Sequence, residues 1–164
     1  NLLDMTRLES GQMKLKTDWH EISDLIENVI KRLKNELSDH NVKINIHQDI
    51  PLFKFDFGLL EQALINVIHN SIIYTPEKSE ININVKHENK FCIIEISDNG
   101  PGFAEETLSK LFDKFYRIPG TKTGGTGLGL SIAKGFIEAH SGTIEAKNLK
   151  QGGAVFIIEI PIQI

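Results

Sequence analysis

The chain has one cysteine, no excess of positive charge and no long uncharged apolar run. Cys92 alone excludes an internal disulfide framework and a cysteine-based metal cluster, and its apolar neighbours predict a small, buried hydrophobic side chain. A net charge of −4 lacks the basic excess of nucleic-acid-binding proteins, so no nucleic-acid partner is expected. No apolar run is long enough to span a membrane, and no signal peptide is expected in these residues.

The composition is that of an ordinary globular domain, with 40% hydrophobic and 24% charged residues in 164 positions. The chain starts without methionine and within an apolar pattern at helical spacing that ends at Gly11. We therefore expect a cytoplasmic piece of a longer protein, beginning with the tail of a longer helix.

Hydrophobic periodicity predicts five helices and five strands. The helices are expected at residues 1–11, 19–39, 57–74, 104–115 and 128–140, and the strands at residues 42–46, 81–85, 91–97, 143–148 and 154–162. Two pairs of strands are joined by short turns and must be antiparallel. This order favours an α+β two-layer sandwich, with a mixed, largely antiparallel sheet and helices on one face, over a doubly wound parallel sheet.

Four glycines lie within residues 124–129, where the last predicted helix begins. Glycine lets the main chain approach a ligand closely, and backbone amides at a helix start bind anions. A Walker-type loop would need Gly-Lys-Ser/Thr after the glycines, and a dinucleotide fingerprint needs G-x-G-x-x-G after a strand. Here the spacing is G-x-G-x-G after a polar loop. The pattern therefore favours a phosphate site of another kind at the start of this helix.

Two further motifs carry polar groups suited to a nucleotide. Asn66 and Asn70 share a helix face outside the apolar stripe, and an amide oxygen can ligate Mg²⁺, although two solvent-facing residues would show the same pattern. Asp98 ends a strand and precedes Gly100 and Gly102, with a helix rather than a partner strand following, so a hairpin turn is disfavoured. A carboxylate there could accept a hydrogen bond from the amino group of adenine.

In this order the motifs resemble the N, G1, F and G2 boxes of the ATP-binding catalytic domain of sensor histidine kinases. They are Asn66-x-x-x-Asn70, Asp98-x-Gly100-x-Gly102, residues 112–117 and residues 125–130. This domain has the Bergerat fold, shared by gyrase and MutL ATPases, and the resemblance covers residue 19 to the end. Residues 1–11 resemble the end of the second dimerisation helix. This divides the chain into residues 1–14, a remnant of that helix, and residues 15–164, the catalytic domain. The chain most resembles the Kdp-type, potassium-responsive branch.

The resemblance implies ATP and Mg²⁺ as cofactors, with Asn70 as the metal ligand. Asn66, Arg117 and Lys122 would act at the phosphates, the last two from a lid between Asp113 and Gly125 that should be mobile without nucleotide. Tyr74 would pack against adenine. The remaining nucleotide contacts would come from Asp98, Gly100, Gly102, Gly125, Thr126, Gly127, Leu128 and Gly129.

The sequence departs from the family pattern at two places. Ile73 stands where many members have a lysine, and the phosphoacceptor box His-Glu-x-Arg-Thr-Pro is missing. We expect all six histidines to be surface residues or locally hydrogen-bonded, with only His69 kept open as a neighbour of Asn70. The chain would then bind ATP without carrying the histidine that is phosphorylated.

The implied function is a histidine protein kinase that donates the γ-phosphoryl group of Mg-ATP to a histidine of the dimerisation domain, for onward transfer to a response regulator receiver domain. The parent would be a membrane-anchored bacterial homodimer, and this cytoplasmic fragment could be monomeric. One alternative is a hydrolytic ATPase of the same fold. Its members typically place glutamate where Asn66 stands, and asparagine cannot be a general base. The other is a non-catalytic nucleotide-binding module, which the presence of Ile73 in place of the usual lysine suggests.

Overall fold

The computed structural model describes residues 2–11, 13–118 and 127–162. Within these residues the chain forms five helices and seven strands. In chain order they are α1 (Leu2–Glu9), β1 (Asp18–His20), α2 (Ile22–Arg32), β2 (Asn41–Ile46), β3 (Phe53–Phe55), α3 (Phe57–Ile73), β4 (Glu80–Glu88), β5 (Phe91–Asp98), α4 (Glu105–Leu108), α5 (Gly129–Ala139), β6 (Thr143–Asn148) and β7 (Ala154–Pro161).

Five strands form the main sheet in the order β2-β4-β5-β7-β6. β2 runs parallel to β4, and every other neighbouring pair is antiparallel. The crossover between the parallel strands contains α3, whereas β4–β5 and β6–β7 are hairpins. The predicted mixed, largely antiparallel sheet is confirmed.

One face of this sheet joins α2, α3 and α5 in a single hydrophobic core. Ile83, Ile96 and Phe156 are cross-strand neighbours on that face, and each is at most 1% exposed. Cys92 is fully buried there, and burial raises the pKa of its thiol to about 12. The prediction of a small buried hydrophobic side chain at this position is confirmed.

The helix α3 carries the two asparagines because its apolar stripe fixes which side faces the core. Leu60, Leu64 and Val67 are buried, which leaves Asn66 and Asn70 beside the stripe. At its start the Asp56 side chain accepts a hydrogen bond from the Leu59 N–H at 3.1 Å. The helix ends before Thr75-Pro76, as predicted, because the residue before proline disfavours helical geometry.

A second, two-stranded sheet was not predicted. β1 pairs antiparallel with β3, so Trp19 lies in a strand and the helix predicted from residue 19 begins at Ile22. The His20 ring packs against Phe55 with centroids 5.0 Å apart. Three-residue strands are too short to show an alternation, and their partners lie over thirty residues apart in sequence.

The predicted helices at residues 19–39 and 104–115 are also shorter than expected. After α2, turns over residues 33–39 preserve the burial of Leu33 and Leu37, because the Leu37 N–H still bonds the Leu33 carbonyl at 2.9 Å. The spacing of these two apolar residues is therefore the same as in a helix, which is why the sequence predicts one here. After α4 the chain turns through residues 109–115, and Phe115 has a φ of +63°, which ends any helix.

The helix α1 packs on α5 through one face. Met5 is 6% exposed, Leu8 contacts Gly135, and Glu9 forms an ion pair with Lys114. Leu2 and Leu3, on the other side, are 63% and 64% exposed. None of the helices in the described part of the chain is long and apolar enough to cross a membrane.

Candidate nucleotide-binding site

Asn66 on α3 is hydrogen-bonded to the start of α5. Its Nδ2 donates to the Gly129 carbonyl oxygen at 3.0 Å, and its Oδ1 accepts from Nε2 of Gln62 at 2.9 Å. Both ends of this amide are thus paired within the protein. Gln62 was not among the predicted site residues, although a spacing of four residues from Asn66 on a helix is the signal that indicates it.

Asn70, one turn further along α3, differs from Asn66 in its hydrogen bonds. Its Oδ1 is buried and has no partner in the part of the chain that the structure describes. A buried acceptor without a partner costs about 1–3 kcal/mol. Amide oxygens are ligands that hard cations accept, so this atom fits Mg²⁺. The described residues contain no group of three or more His, Cys, Asp or Glu that could hold a metal.

Asp98 ends β5 as a buried carboxylate, 7% exposed. Its Oδ1 accepts hydrogen bonds from the backbone N–H groups of Gly100 at 2.9 Å and Ala154 at 3.3 Å. No described residue bonds its Oδ2. Burial raises the pKa of this carboxyl, and the two backbone hydrogen bonds act in the opposite direction. The geometry therefore leaves one carboxylate oxygen for a donor from outside the protein.

The loop after β5 needs glycine because other segments pass very close to it. A Cβ on Gly100 would lie 2.8 Å from Cγ2 of Thr75. Gly102 has a φ of +75°, and a Cβ there would lie 2.8 Å from Oδ1 of Asn148. That oxygen accepts from the Phe103 N–H at 2.9 Å, while Nδ2 of Asn148 donates to the Phe103 carbonyl at 2.6 Å. Asn148 thus fixes the loop, and no sequence motif indicated it.

Tyr74 follows α3 and contributes an aromatic ring beside this loop. Its N–H donates to the Asn70 carbonyl at 3.1 Å. Its half-buried ring meets Phe103 edge-on with centroids 6.1 Å apart, and Phe103 meets Phe156 at 6.4 Å. A row of aromatic rings therefore lies next to the loop that follows Asp98.

The start of α5 lies between α3 and the segment before it. Gly127 has a φ of +75°, and a Cβ there would lie 2.7 Å from the Phe115 carbonyl carbon. The Phe115 N–H donates to the Gly127 carbonyl at 2.9 Å. Leu128 is fully buried, and Gly129 is the first residue of α5. The first turn of α5 carries no acidic side chain, and the first N–H groups of a helix have no acceptor within the helix, so this end of α5 suits an anion.

Three predicted residues at the phosphates, Lys122, Gly125 and Thr126, fall outside the described residues, and so does most of the predicted lid. Arg117 lies inside the described part and is exposed. The roles given to all four stay predictions.

The histidines follow the expectation of surface or locally hydrogen-bonded residues only in part, because His40 and His140 bond residues far away in the sequence. His140 is buried, with Nδ1 donating to the Phe136 carbonyl at 2.8 Å and Nε2 accepting from the Asp56 N–H at 3.0 Å. Burial lowers its pKa, against the raising effects of the Phe136 hydrogen bond and the Asp56 carboxylate. His69 is exposed.

Comparison with known proteins identifies the class of this chain. Residues 55–164 match the family described as "Histidine kinase-, DNA gyrase B-, and HSP90-like ATPase". The chain belongs to this family of ATP-binding domains, and it is of the kind that forms the catalytic part of sensor histidine kinases.

Among its relatives, sensor protein KdpD of Clostridium acetobutylicum is 36% identical over 165 residues, which are 98% of this chain. KdpD of Escherichia coli is 34% identical over 166 residues, or 99% of this chain. The chain spans only 18% of the length of each of these two proteins. The resemblance to the Kdp-type branch is confirmed.

Solved structures agree on the fold. The catalytic domain of histidine kinase ThkA is 28% identical, with a TM-score of 0.79, covering 90% of this chain and 98% of that domain. ThkA in complex with the response regulator TrrA gives a TM-score of 0.80 at 23% identity, covering 99% of this chain and 47% of that one. At 23% identity, the similarity to ThkA in its complex with TrrA shows that the fold is shared.

Proposed function

We propose that this chain binds Mg-ATP and supplies its γ-phosphoryl group to a histidine of a dimerisation domain. The observation that carries the proposal is the buried Oδ1 of Asn70, which has no partner among the described residues. Bound Mg²⁺ would neutralise phosphate charge, and Asn70 is the residue that would hold it. Asn66, whose amide is already paired, would instead hold the start of α5 against α3 near the phosphates.

The base end would bind adenine through Asp98 and Tyr74. Oδ2 of Asp98 has no hydrogen bond from the described residues, so it would accept one from the amino group of adenine. Gly100 and Gly102 keep the loop free of side chains that would meet Thr75 and Asn148. The Tyr74 ring offers a flat apolar surface to the base.

The phosphates would meet backbone amides at the start of α5 and cations from the preceding segment. Gly125, Thr126, Gly127, Leu128 and Gly129 would supply the amides. With Ile73 in place of the usual lysine, the positive charge would come from Arg117 and Lys122.

Transfer to a histidine fits the site better than hydrolysis. Hydrolysis needs a base to activate water, and the residue beside Asn70 on the site face of α3 is Asn66. Glu61, the acid on α3, is bonded to Asn28 and Arg32 of α2. Phosphoryl transfer relies mainly on positioning and charge neutralisation, which the residues named here would supply. The bond from γ-phosphorus to ADP would break as a bond to the acceptor nitrogen forms.

The rest of the parent protein would supply the acceptor. Residues 1–14 would be the end of the dimerisation helix, and residues 15–164 the catalytic domain. We propose that the parent is a membrane-anchored homodimer with this part in the cytoplasm. Its phosphohistidine would pass the group to a response regulator receiver domain.

Calorimetric titration with ATP, with and without Mg²⁺, tests the nucleotide half of this proposal. We expect Mg²⁺-dependent binding that Asn70→Ala and Asp98→Asn abolish. Asn82→Ala, on the opposite, polar face of the sheet, is the matched control and should bind normally. Unchanged affinity in both site variants would overturn the proposal.

Transfer is tested by adding a separately prepared dimerisation domain of the same parent and radiolabelled ATP. We expect label on that domain and little steady-state release of phosphate. Appreciable hydrolysis by the chain alone would instead support the ATPase alternative. Binding without transfer would support a non-catalytic nucleotide-binding module.

A further inference from the structure

His40, immediately before β2, is hydrogen-bonded to the Thr75 hydroxyl. The Thr75 hydroxyl lies 2.8 Å from the Ser71 carbonyl and 2.9 Å from Nε2 of His40. Ser71 lies in the last turn of α3, and its carbonyl receives no backbone N–H from Thr75, so the single hydroxyl proton goes there. Nε2 of His40 must therefore carry a proton and donate to the hydroxyl oxygen.

The position of His40 is fixed by backbone hydrogen bonds on both sides. The Asn41 N–H donates to the Ser79 carbonyl at 2.9 Å, and the Lys78 N–H donates to the Asp39 carbonyl at 2.6 Å. Nδ1 of His40 is buried and has no partner among the described residues. The ring is thus held with Nε2 directed at Thr75 and a cost left at its other nitrogen.

The other branch of Thr75 supports the loop that carries the base end of the site. Its Cγ2 lies where a Cβ on Gly100 would be only 2.8 Å away, so the Gly100 backbone rests on this methyl group. The Gly100 N–H donates to Oδ1 of Asp98 at 2.9 Å. Two hydrogen bonds on the Thr75 hydroxyl fix its χ1 angle and therefore the place of its methyl group.

We infer that His40 is a positioning residue for adenine recognition: its Nε2–H fixes the Thr75 rotamer, whose methyl group sets Gly100 and so the Asp98 carboxylate. His40 does not touch the base and acts through Thr75. The inference rests on the proposed adenine-nucleotide site and adds a residue that none of the nucleotide-binding motifs contains.

The test is discrimination between ATP and inosine triphosphate, which lacks the amino group that Asp98 would bind. Wild type, His40→Phe, His40→Gln and Thr75→Ser are titrated with both nucleotides and Mg²⁺. His40→Phe loses the donor and Thr75→Ser loses the methyl group, so each should lower the preference for ATP about fivefold or more. His40→Gln retains a donor and should restore most of it. His47→Phe, at the far end of β2, is the matched control.

The double variant of His40→Phe and Thr75→Ser should lose no more preference than either single one, because both act on one contact. An unchanged preference in His40→Phe, or equal losses for the two nucleotides, would overturn the inference. If His40→Phe does not fold, Thr75→Val, which lacks the hydroxyl, carries the same test. Failure of the wild type to bind ATP would instead contradict the proposed function.

Discussion

The base end and the phosphate end of the site differ in how fully the protein pairs its own polar groups. At the base end, Oδ1 of Asp98 receives two backbone hydrogen bonds, and Asn148 bonds both backbone groups of Phe103. At the phosphate end, Oδ1 of Asn70 is buried without a partner in the described chain. Oδ2 of Asp98 also has no partner among the described residues, but it is not one of their buried unpaired atoms. Among the atoms that would touch the nucleotide, the one buried at a cost therefore lies at the phosphate end, and an ion would remove that cost.

The unpaired oxygen does not come from loose packing of the phosphate end. α3 and α5 lie antiparallel and are hydrogen-bonded near both ends of α5. Asn66 bonds Gly129 at the start of α5, and His140 accepts from the Asp56 N–H at its end. A firmly held helix pair therefore presents an oxygen that no described residue bonds, that of Asn70.

The largest expected effect tests whether the base end is rigid. Gly153 has a φ of +91°, and a Cβ there would overlap the Asp98 carbonyl oxygen. Gly153→Ala should lower the free energy of unfolding by about 3 kcal/mol, from backbone strain and overpacking together. Urea unfolding measures this change.

Gly152→Ala is the matched control for that prediction. Gly152 has a φ of +103°, yet a Cβ there would meet nothing within 4 Å. It should cost only the strain of a positive φ. Equal losses of unfolding free energy in the two variants would show that the backbone near Asp98 moves to make room for the added Cβ. The base end would then not be rigid.

The next prediction compares the two asparagines of α3 without nucleotide. Asn66→Ala leaves the Gly129 carbonyl and the Gln62 amide without their partner and should cost about 2 kcal/mol. Asn70→Ala removes an oxygen that has no partner in the described part of the chain and should cost less than about 0.5 kcal/mol. Thermal unfolding of both variants checks this order.

Adding Mg-ATP should increase the difference in stability between Asn66→Ala and Asn70→Ala. We expect it to stabilise Asn66→Ala but not Asn70→Ala, since only Asn70 would hold the metal. A large loss from Asn70→Ala in the absence of nucleotide would mean that its amide already has a structural role.

The features of the fold and the site that could be predicted are those encoded by residues close together in the sequence. The stripe of α3, the strand alternation and the glycine motifs lie within short windows, so the core, the sheet and the pair Asn66 and Asn70 could be predicted. The pairing of β1 with β3 and the bonds of Asn148 to Phe103 join residues over thirty positions apart. No periodicity records such contacts. The hydrogen-bond difference between the asparagines was also hidden, because it depends on Gly129.

A smaller effect is expected from Gln62, which holds the Asn66 amide in one orientation. Gln62→Met keeps the length of the side chain and removes the donor to Oδ1 of Asn66. We expect a loss of about 1 kcal/mol in chemical unfolding, the ordinary value of one hydrogen bond. In Asn66→Ala the same substitution should cost nothing more, because the partner is already gone. Additive losses of stability in the two substitutions would show that Gln62 does not act through Asn66.

The smallest effect is a pH dependence at the far end of the helix pair. Burial lowers the pKa of His140 in the folded chain, so the unfolded chain takes up a proton more readily. Stability should be complete well above the ordinary value of 6.5 and fall as the pH drops through it. The linkage keeps the loss below about 1 kcal/mol at a pH of about 6. Urea unfolding of wild type and His140→Gln between a pH of about 7.5 and about 6 isolates this part, since glutamine does not titrate. If both proteins lose stability equally, proton uptake by His140 on unfolding does not contribute to the pH dependence.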